Sequence, residues 1–166
     1  MPTVSHEHSL TPSLRELMAS RRTAALGTVN ATGAAFVSLV PFAIDPASAS
    51  LVIHISALAA HSQNLQTRPQ ASLMVADAES AGQPVHALAR VSIEVFATWA
   101  EPGSALALQC RAAYLARFPE AEPMTTLGDF RFVRLSPQGA RQVAGFGAAR
   151  SLSADELAQA LGQRTA

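Results

Sequence analysis

No lysine occurs in the 166 residues, so all twelve basic side chains are arginine. That excludes Schiff-base chemistry and a phosphate-loop lysine. The single cysteine, Cys110, rules out an intrachain disulfide, and with no CxxC or HExxH spacing no metal site is expected. Charge is scarce and balanced. Twelve acidic groups face the twelve arginines and only 14% of residues are charged, so the surface has no general attraction for nucleic acid or anionic lipid. Hydrophobic runs such as Leu51 to Ile55 are too short to span a bilayer, and the first ten residues, MPTVSHEHSL, have neither a basic region nor an apolar core. The expectation is a cytoplasmic protein with no membrane and no nucleic-acid partner.

What is present fits one compact domain over residues 1–166, since 49% of the chain is hydrophobic. Alanine makes up roughly a fifth of it, which raises helix propensity everywhere. Strands must therefore be read from β-branched alternation and from turns. Thr11-Pro12 opens a short helix that reaches the Arg21-Arg22 pair. Thr23 to Val29, Ala35 to Ile44 and Ser50 to Ser56 read as three strands of a meander, separated by turn clusters at Asn30–Gly33 and Asp45–Ser48. Helical spacing follows from Ala57 to Gln66, then strands at Ala71 to Ala76 and Leu88 to Trp99. Ser104 to Phe118 is predicted as a helix with Cys110, Ala113 and Tyr114 inward. Gly128 to Leu135 alternates again, Pro137-Gln138-Gly139 reads as a turn, and Ala140 to Ala144 as a last strand. Ser153 and Glu156 form a capping box before a final short helix. The order α-β-β-β-α-β-β-α-β-β-α favours a small antiparallel barrel with helices plugging or flanking it. Residues 1–10 read as a flexible arm and 150–166 as a helical tail.

The stretch Ile55-Ser-Ala-Leu-Ala-Ala-His-Ser-Gln-Asn-Leu65 is the most informative. A strand there ends in Ser56 and runs into a helix beginning with small residues. Free N–H groups at that helix start, with Ser56, His61, Ser62 and Asn64 nearby, could hold a phosphate. The same residues also read as a serine cap and a polar helix face, and spacing alone does not separate the two.

The stretch resembles the I-S-x-L-A-x-H-T-x-N-L signature of the FMN-binding split-barrel superfamily, in its HugZ-like haem-utilisation branch of pyridoxamine 5'-phosphate oxidase-like proteins. Further matches lie at Leu88-Ala-Arg90-Val91, at Arg111 with Tyr114-Leu115 and Phe118-Pro119-Glu120-Ala121, at Gly128-Asp129-Phe130 and at Val143-Ala-Gly-Phe-Gly147. Together they span most of residues 12 to 150. The resemblance implies a mainly β (α+β) fold, a six-stranded antiparallel split β-barrel with flanking helices, built as a homodimer with FMN at the subunit interface. By position, Ser56, His61, Ser62 and Asn64 would take the FMN phosphate. The backbone of Val37, Ser38, Leu39 and Val40 would run beside the flavin, and Arg90 would approach it. Ser62 stands where the signature has threonine, and Arg68-Pro69-Gln70 where the branch commonly has Asp-Pro-Arg.

The function expected on this footing is that of an FMN-binding flavoprotein, an oxidoreductase acting on an unidentified small molecule. No acid–base pair names a catalytic residue. One alternative is haem binding or haem breakdown in the same dimer cleft, and another is a sensor that binds FMN without catalysis. Haem is disfavoured on the sequence. Members of the branch that degrade it generally supply a histidine from a C-terminal segment, and here no histidine follows His86. His54 is expected on a strand, His61 is assigned to phosphate, and His86 falls in a polar loop, which leaves His6 and His8 of the arm. Trp99, Tyr114 and Phe146 are expected as core or interface aromatics, and Arg131 and Arg134 on a solvated strand face with Asp129 able to pair one of them.

Overall fold

The computed structural model describes residues 9–162, so His6, His8 and most of the expected N-terminal arm lie outside the described residues. Helix α1 (Thr11–Ser20) carries Pro12 in its first turn, where a missing N–H costs nothing, and buries Leu14, Leu17 and Met18. Strands β1 (Thr23–Val29), β2 (Ala35–Pro41), β3 (Ala43–Asp45) and β4 (Ser50–Ser56) follow. Next come helix α2 (Ala60–Thr67), strands β5 (Gln70–Ala76) and β6 (Arg90–Trp99), and helix α3 (Ala105–Arg117). The long strand β7 (Phe130–Gly145), strand β8 (Ala148–Ser153) and helix α4 (Ala154–Leu161) complete the described chain. Among the described residues no helix is long and apolar enough to cross a membrane.

The strands form one antiparallel sheet in the order β2-β1-β5-β6-β7-β4-β3, with β8 paired to β7 off that path. Its two outer strands, β2 and β3, are separated in the chain by Phe42 alone. Segment 35–45 therefore serves both ends of the sheet and curls it round. Counted as one bent strand it makes the body six-stranded, as expected, and β8 is an addition. The three-strand meander is corrected at this point. Residues Ala35–Pro41 pair with β1, whereas Ala43–Asp45 pair with β4, so the middle strand joins opposite ends of the order.

The expected turn at Pro137–Gly139 is also corrected, because β7 runs straight through it. Glu94 pairs with Gly139 and Val95 with Pro137, so Gln138 is the extra residue of a bulge. On its other edge β7 pairs with β4 up to Leu135 and with β8 from Gly139. Pro137 sits in the gap between those partners, where its missing N–H breaks no ladder bond. The C-terminal tail starts as strand β8, and only Ala154–Leu161 is helical. Ser153 and Glu156 form the capping box read from the sequence.

Inward residues of the sheet, among them Leu26, Leu73, Ile93, Ile53 and Leu135, make one core with the apolar faces of α1 and α4. A second core lies on the outer side of β4, where Val52 and Phe132 pack with Cys110, Tyr114 and Phe118. Strand β4 is consequently buried on both faces. Burial pushes the Cys110 thiol up to about 11, so it is an unreactive core group. Phe146, expected in a core or wall, is 85% exposed at the tip of the β7–β8 hairpin between Gly145 and Gly147.

One polar network pins α1 to the sheet. Gln142, buried on β7, donates from Nε2 to the Leu10 carbonyl at 3.0 Å and to Ser13 Oγ at 3.1 Å, and accepts from Arg150 Nε at 2.9 Å. Arg150 also reaches Thr11 Oγ1 at 3.0 Å. Gln142→Leu removes three hydrogen bonds at once, leaving Arg150 Nε without its acceptor while Leu10 and Ser13 keep their bond to each other, and should lower unfolding free energy by about 2–3 kcal/mol. Chemical denaturation measures it, and a loss below about 0.5 kcal/mol would show that water satisfies the network equally well.

Candidate functional site

The corner at Phe42 opens a cavity of about 600 Å³, inside the ~300–1,000 Å³ range of small-molecule sites. Leu39, Val40 and Pro41 come to it from β2, His54 and Ser56 from β4, and His61 from α2. Arg22, Tyr114, Phe118, Met124 and Phe130 arrive from four other places in the chain. The walls are mainly apolar, and the polar groups are two imidazoles, one serine, one threonine, one phenol, and the Arg22 guanidinium with the Glu120 carboxylate.

His61 stands at the start of α2, with Nδ1 3.0 Å from Ser38 Oγ. Its Nε2 is buried and without a hydrogen-bond partner. Burial lowers its pKa from 6.5, so the ring is neutral at pH 7. When Nδ1–H donates to Ser38, Nε2 is the nitrogen with the free lone pair. His54 is buried on β4 and stacks near Phe132, Phe130 and Tyr114, with centroids 4.3, 5.2 and 5.8 Å away. Burial lowers its pKa too. Burial raises the Tyr114 phenol, with Glu120 adding to the effect, so the hydroxyl stays protonated.

Arg22 pairs with Glu120 at 2.5 Å and stacks its guanidinium 4.7 Å from the Phe118 ring centre. Glu120 is held below the usual carboxylate range, first by a backbone hydrogen bond and then by Arg22. This places one cation at the cavity with an exposed partner.

The remaining residues read from the sequence divide sharply. Ser56 is not the cap of α2. Its hydroxyl donates to Asp129 Oδ2 at 2.8 Å and accepts from Leu58 N at 3.2 Å, and the cap is Ala59 without a side-chain bond. Residues 57–59 form a turn tied to β7 through Ala57 N and the Asp129 carbonyl at 2.7 Å, so the helix starts three residues later than expected. Asp129 thus serves Ser56, and no ion pair joins it to an arginine among the described residues. Ser62 is fully buried and donates to the Ser56 carbonyl at 2.6 Å. Asn64, also buried, donates to Thr28 Oγ1 at 2.9 Å. Both hold α2 against the sheet. Val37 is 66% exposed on the outer sheet face. Arg90 begins β6, donates to the Leu88 carbonyl at 3.0 Å, and is not in the lining of this cavity. His54, Arg22 and Met124 were not singled out for the site, and no local pattern marks them, because each belongs to a different element.

Comparison with known proteins gives four findings. The chain matches the pyridoxamine 5'-phosphate oxidase family over residues 10–144. It is 34% identical over 149 residues to "Heme oxygenase HutZ" of Vibrio cholerae serotype O1, covering 89% of this chain and 84% of that protein. The crystal structure of HutZ, there called the heme storage protein, superposes with a TM-score of 0.73 at 32% identity, over 80% of this chain and 94% of that one. A heme binding protein from Mycobacterium smegmatis superposes with a TM-score of 0.79 at 28% identity, over 92% of this chain but 61% of that chain's length.

These relatives are named for haem, which overturns the expected FMN cofactor and FMN-dependent oxidoreductase. The physical reason lies in the donors. A phosphate needs several free hydrogen-bond donors and positive charge, whereas Ser62 and Asn64 are occupied inside the fold and His61 is neutral. The curled antiparallel sheet, its flanking helices and the match over residues 10–144 agree on one assignment: the chain is a member of the pyridoxamine 5'-phosphate oxidase family.

Proposed function

We propose that this protein binds haem in the cavity at the Phe42 corner, with His61 as the imidazole offered to iron. The carrying observation is His61 itself, neutral, fixed at Nδ1 by Ser38, and with a buried Nε2 that has no partner. That is the state an iron-ligating histidine needs. Once FMN is set aside His61 no longer has a phosphate to serve, so the ligand need not come from the C-terminal segment, which has no histidine. Leu39, Val40, Phe118, Met124 and Phe130 offer apolar faces to a macrocycle, and Arg22 offers a cation to a propionate. Bound haem would supply redox-active iron, and the chain would supply the His61 imidazole and exclusion of water. The naming of relatives at 34% and 28% identity supports the same ligand.

A homodimer completes this reading. The outer face of β2-β1-β5-β6 has a floor of small residues, Ala25, Gly27 and Ser72, flanked by exposed Val37, Leu39, Met74 and Phe96. Exposed apolar residues of this kind, here grouped around small residues with Glu94 opposite Ser72, are characteristic of an interface. In such a dimer Arg90, at the rim of that face, would reach the partner's cofactor site instead of its own.

Haemin titrated into the protein at pH 7 should give a saturating Soret band at one equivalent per chain, and His61→Ala should shift the band and weaken binding by about tenfold or more. Unchanged spectra in that variant would place the iron ligand elsewhere, and the lack of stoichiometric binding by the parent would remove the haem reading altogether.

The sign of the pH dependence follows from His61. Its neutral form ligates, and its pKa lies below 6.5, so the Soret band should hold steady from pH 8 to 6.5 and fade only as the pH drops further through the lowered pKa. Loss of the band on the alkaline side would contradict ligation by this group.

Light scattering at micromolar concentration should report twice the chain mass, and Val37→Asp/Leu39→Asp should reduce it to one. A monomeric parent that still binds haem would remove the dimer from the proposal.

A further inference from the structure

We propose that a second cavity, on the α3 side of β4, is a binding site for a small organic anion, a carboxylate carried on an apolar body. The cavity has a volume of about 410 Å³ and is lined by His54, Leu108, Arg111, Leu127, Phe130 and Arg131 together with small residues of the 100–107 segment. No acidic side chain lines it. A cavity with apolar walls, two guanidinium groups and no carboxylate of its own selects a ligand with the opposite charge and an apolar remainder.

Both arginines are held in place with donors to spare. Arg131 Nη1 donates to the carbonyls of Gly128 at 2.6 Å and Phe130 at 2.9 Å, which fixes the plane of the group while Nε and Nη2 have no partner among the described residues. Arg111 donates from Nε to Thr125 Oγ1 at 3.3 Å and pairs through Nη2 with Glu122 at 3.2 Å. Glu122 is 68% exposed, so this pair is weak and a ligand carboxylate can compete for the guanidinium.

The third observation is independent of the charges. His54 is 93% buried by its 7% exposure, lines the cavity, and among the described residues makes ring contacts but no hydrogen bond. No ring nitrogen of His54 is among the buried unpartnered atoms, so its polar edge opens on free space where a bound group can meet it. A bound carboxylate can accept a hydrogen bond from the neutral imidazole. The sequence marked Arg131 only as part of a solvated strand face, and the structure makes it half-buried.

His54 and Phe130 line this cavity and the one at the Phe42 corner. The inference does not need haem to bind, since Arg111, Arg131 and Leu108 line this cavity and not the one at the corner, and the test separates the two.

Sodium benzoate serves as the probe, with benzamide as its uncharged counterpart, and binding is followed by amide NMR shifts on the full chain. Benzoate should move the resonances of Gly103, Leu108 and Gly128 in a saturable way, and benzamide should bind about tenfold more weakly or not at all. Arg111→Gln/Arg131→Gln should weaken benzoate by about tenfold or more. Leu108→Glu, which alters a 65% exposed side chain at the wall and so leaves the fold intact, should do the same by placing an anion at the cavity. Haemin binding should persist in all three proteins.

Equal binding of benzamide, undiminished benzoate binding in the variants, or no saturable shifts at all would each overturn the proposal. So would shifts centred on Leu39 and His61 that haemin abolishes, because they would place benzoate in the first cavity.

Discussion

The bend at Phe42 is the constraint on which the rest of the structure depends. Segment 35–45 must end one side of the sheet and begin the other, and it has a single residue in which to turn. Phe42 is completely buried, its N–H bonds the Arg22 carbonyl at 3.1 Å, and the Arg117 guanidinium lies 4.9 Å from its ring centre. The backbone bond extends the β1–β2 ladder to the corner, and the ring fills the core that the turn would otherwise leave open. Because β2 is pulled away from β4 there, a gap remains between them, and that gap is the cavity. Its chemistry is set by which side chains the corner leaves facing inward, chiefly Val40, His54 and His61.

Most strand boundaries were legible because alternation and turn chemistry agree. Thr23–Val29 and Ser50–Ser56 are strands over the ranges read from the residues, and the capping box at Ser153 forms as written. The departures share one cause, which is that a strand's partners are chosen far away in sequence. Proline and glycine at 137–139 carry the local marks of a turn, and only the change of partner from β4 to β8 makes them compatible with a continuous strand. Ala35–Ile44 reads as one alternating run, and the long-range pairing of its two halves cannot be heard in it. Strand β8 has Ala148 and Ala149 at its start, residues that carry no β preference of their own.

The site was half legible for a related reason. Leu39, Val40, Ser56 and His61 came from the resemblance, and the structure gathers those four around one cavity. Ser62 and Asn64 occupy the same signature but point into the fold, where their hydrogen bonds fasten α2 to its neighbours. A polar residue that holds a helix in place and one that holds a ligand look alike in a motif. The difference is the direction of the side chain, which depends on where α2 starts, and the turn at 57–59 moves that start. The cofactor was misread with it, since a cluster of four donors suggests phosphate, while one neutral imidazole among apolar walls suits a metalloporphyrin.

The absence of lysine also has a structural reading. Several arginines act on backbone carbonyls. Arg117 reaches from α3 to the carbonyls of Met18 at 3.1 Å and Ala19 at 3.0 Å, and to that of Arg21. Arg15 does the same from α1 to Ala160 and Gln159 in α4, and Arg131 to the loop before β7. A planar guanidinium offers five N–H donors in a fixed fork, so one side chain can satisfy two or three carbonyls that a helix end leaves open. An ammonium group could approach the same oxygens but not hold their spacing. Arg117 fixes the end of α1 and the Arg21 cap in this way, and the residue after that cap is Arg22, whose guanidinium is the cation of the Phe42 cavity. The clamp on the backbone and the charge at the site are consecutive steps of one construction.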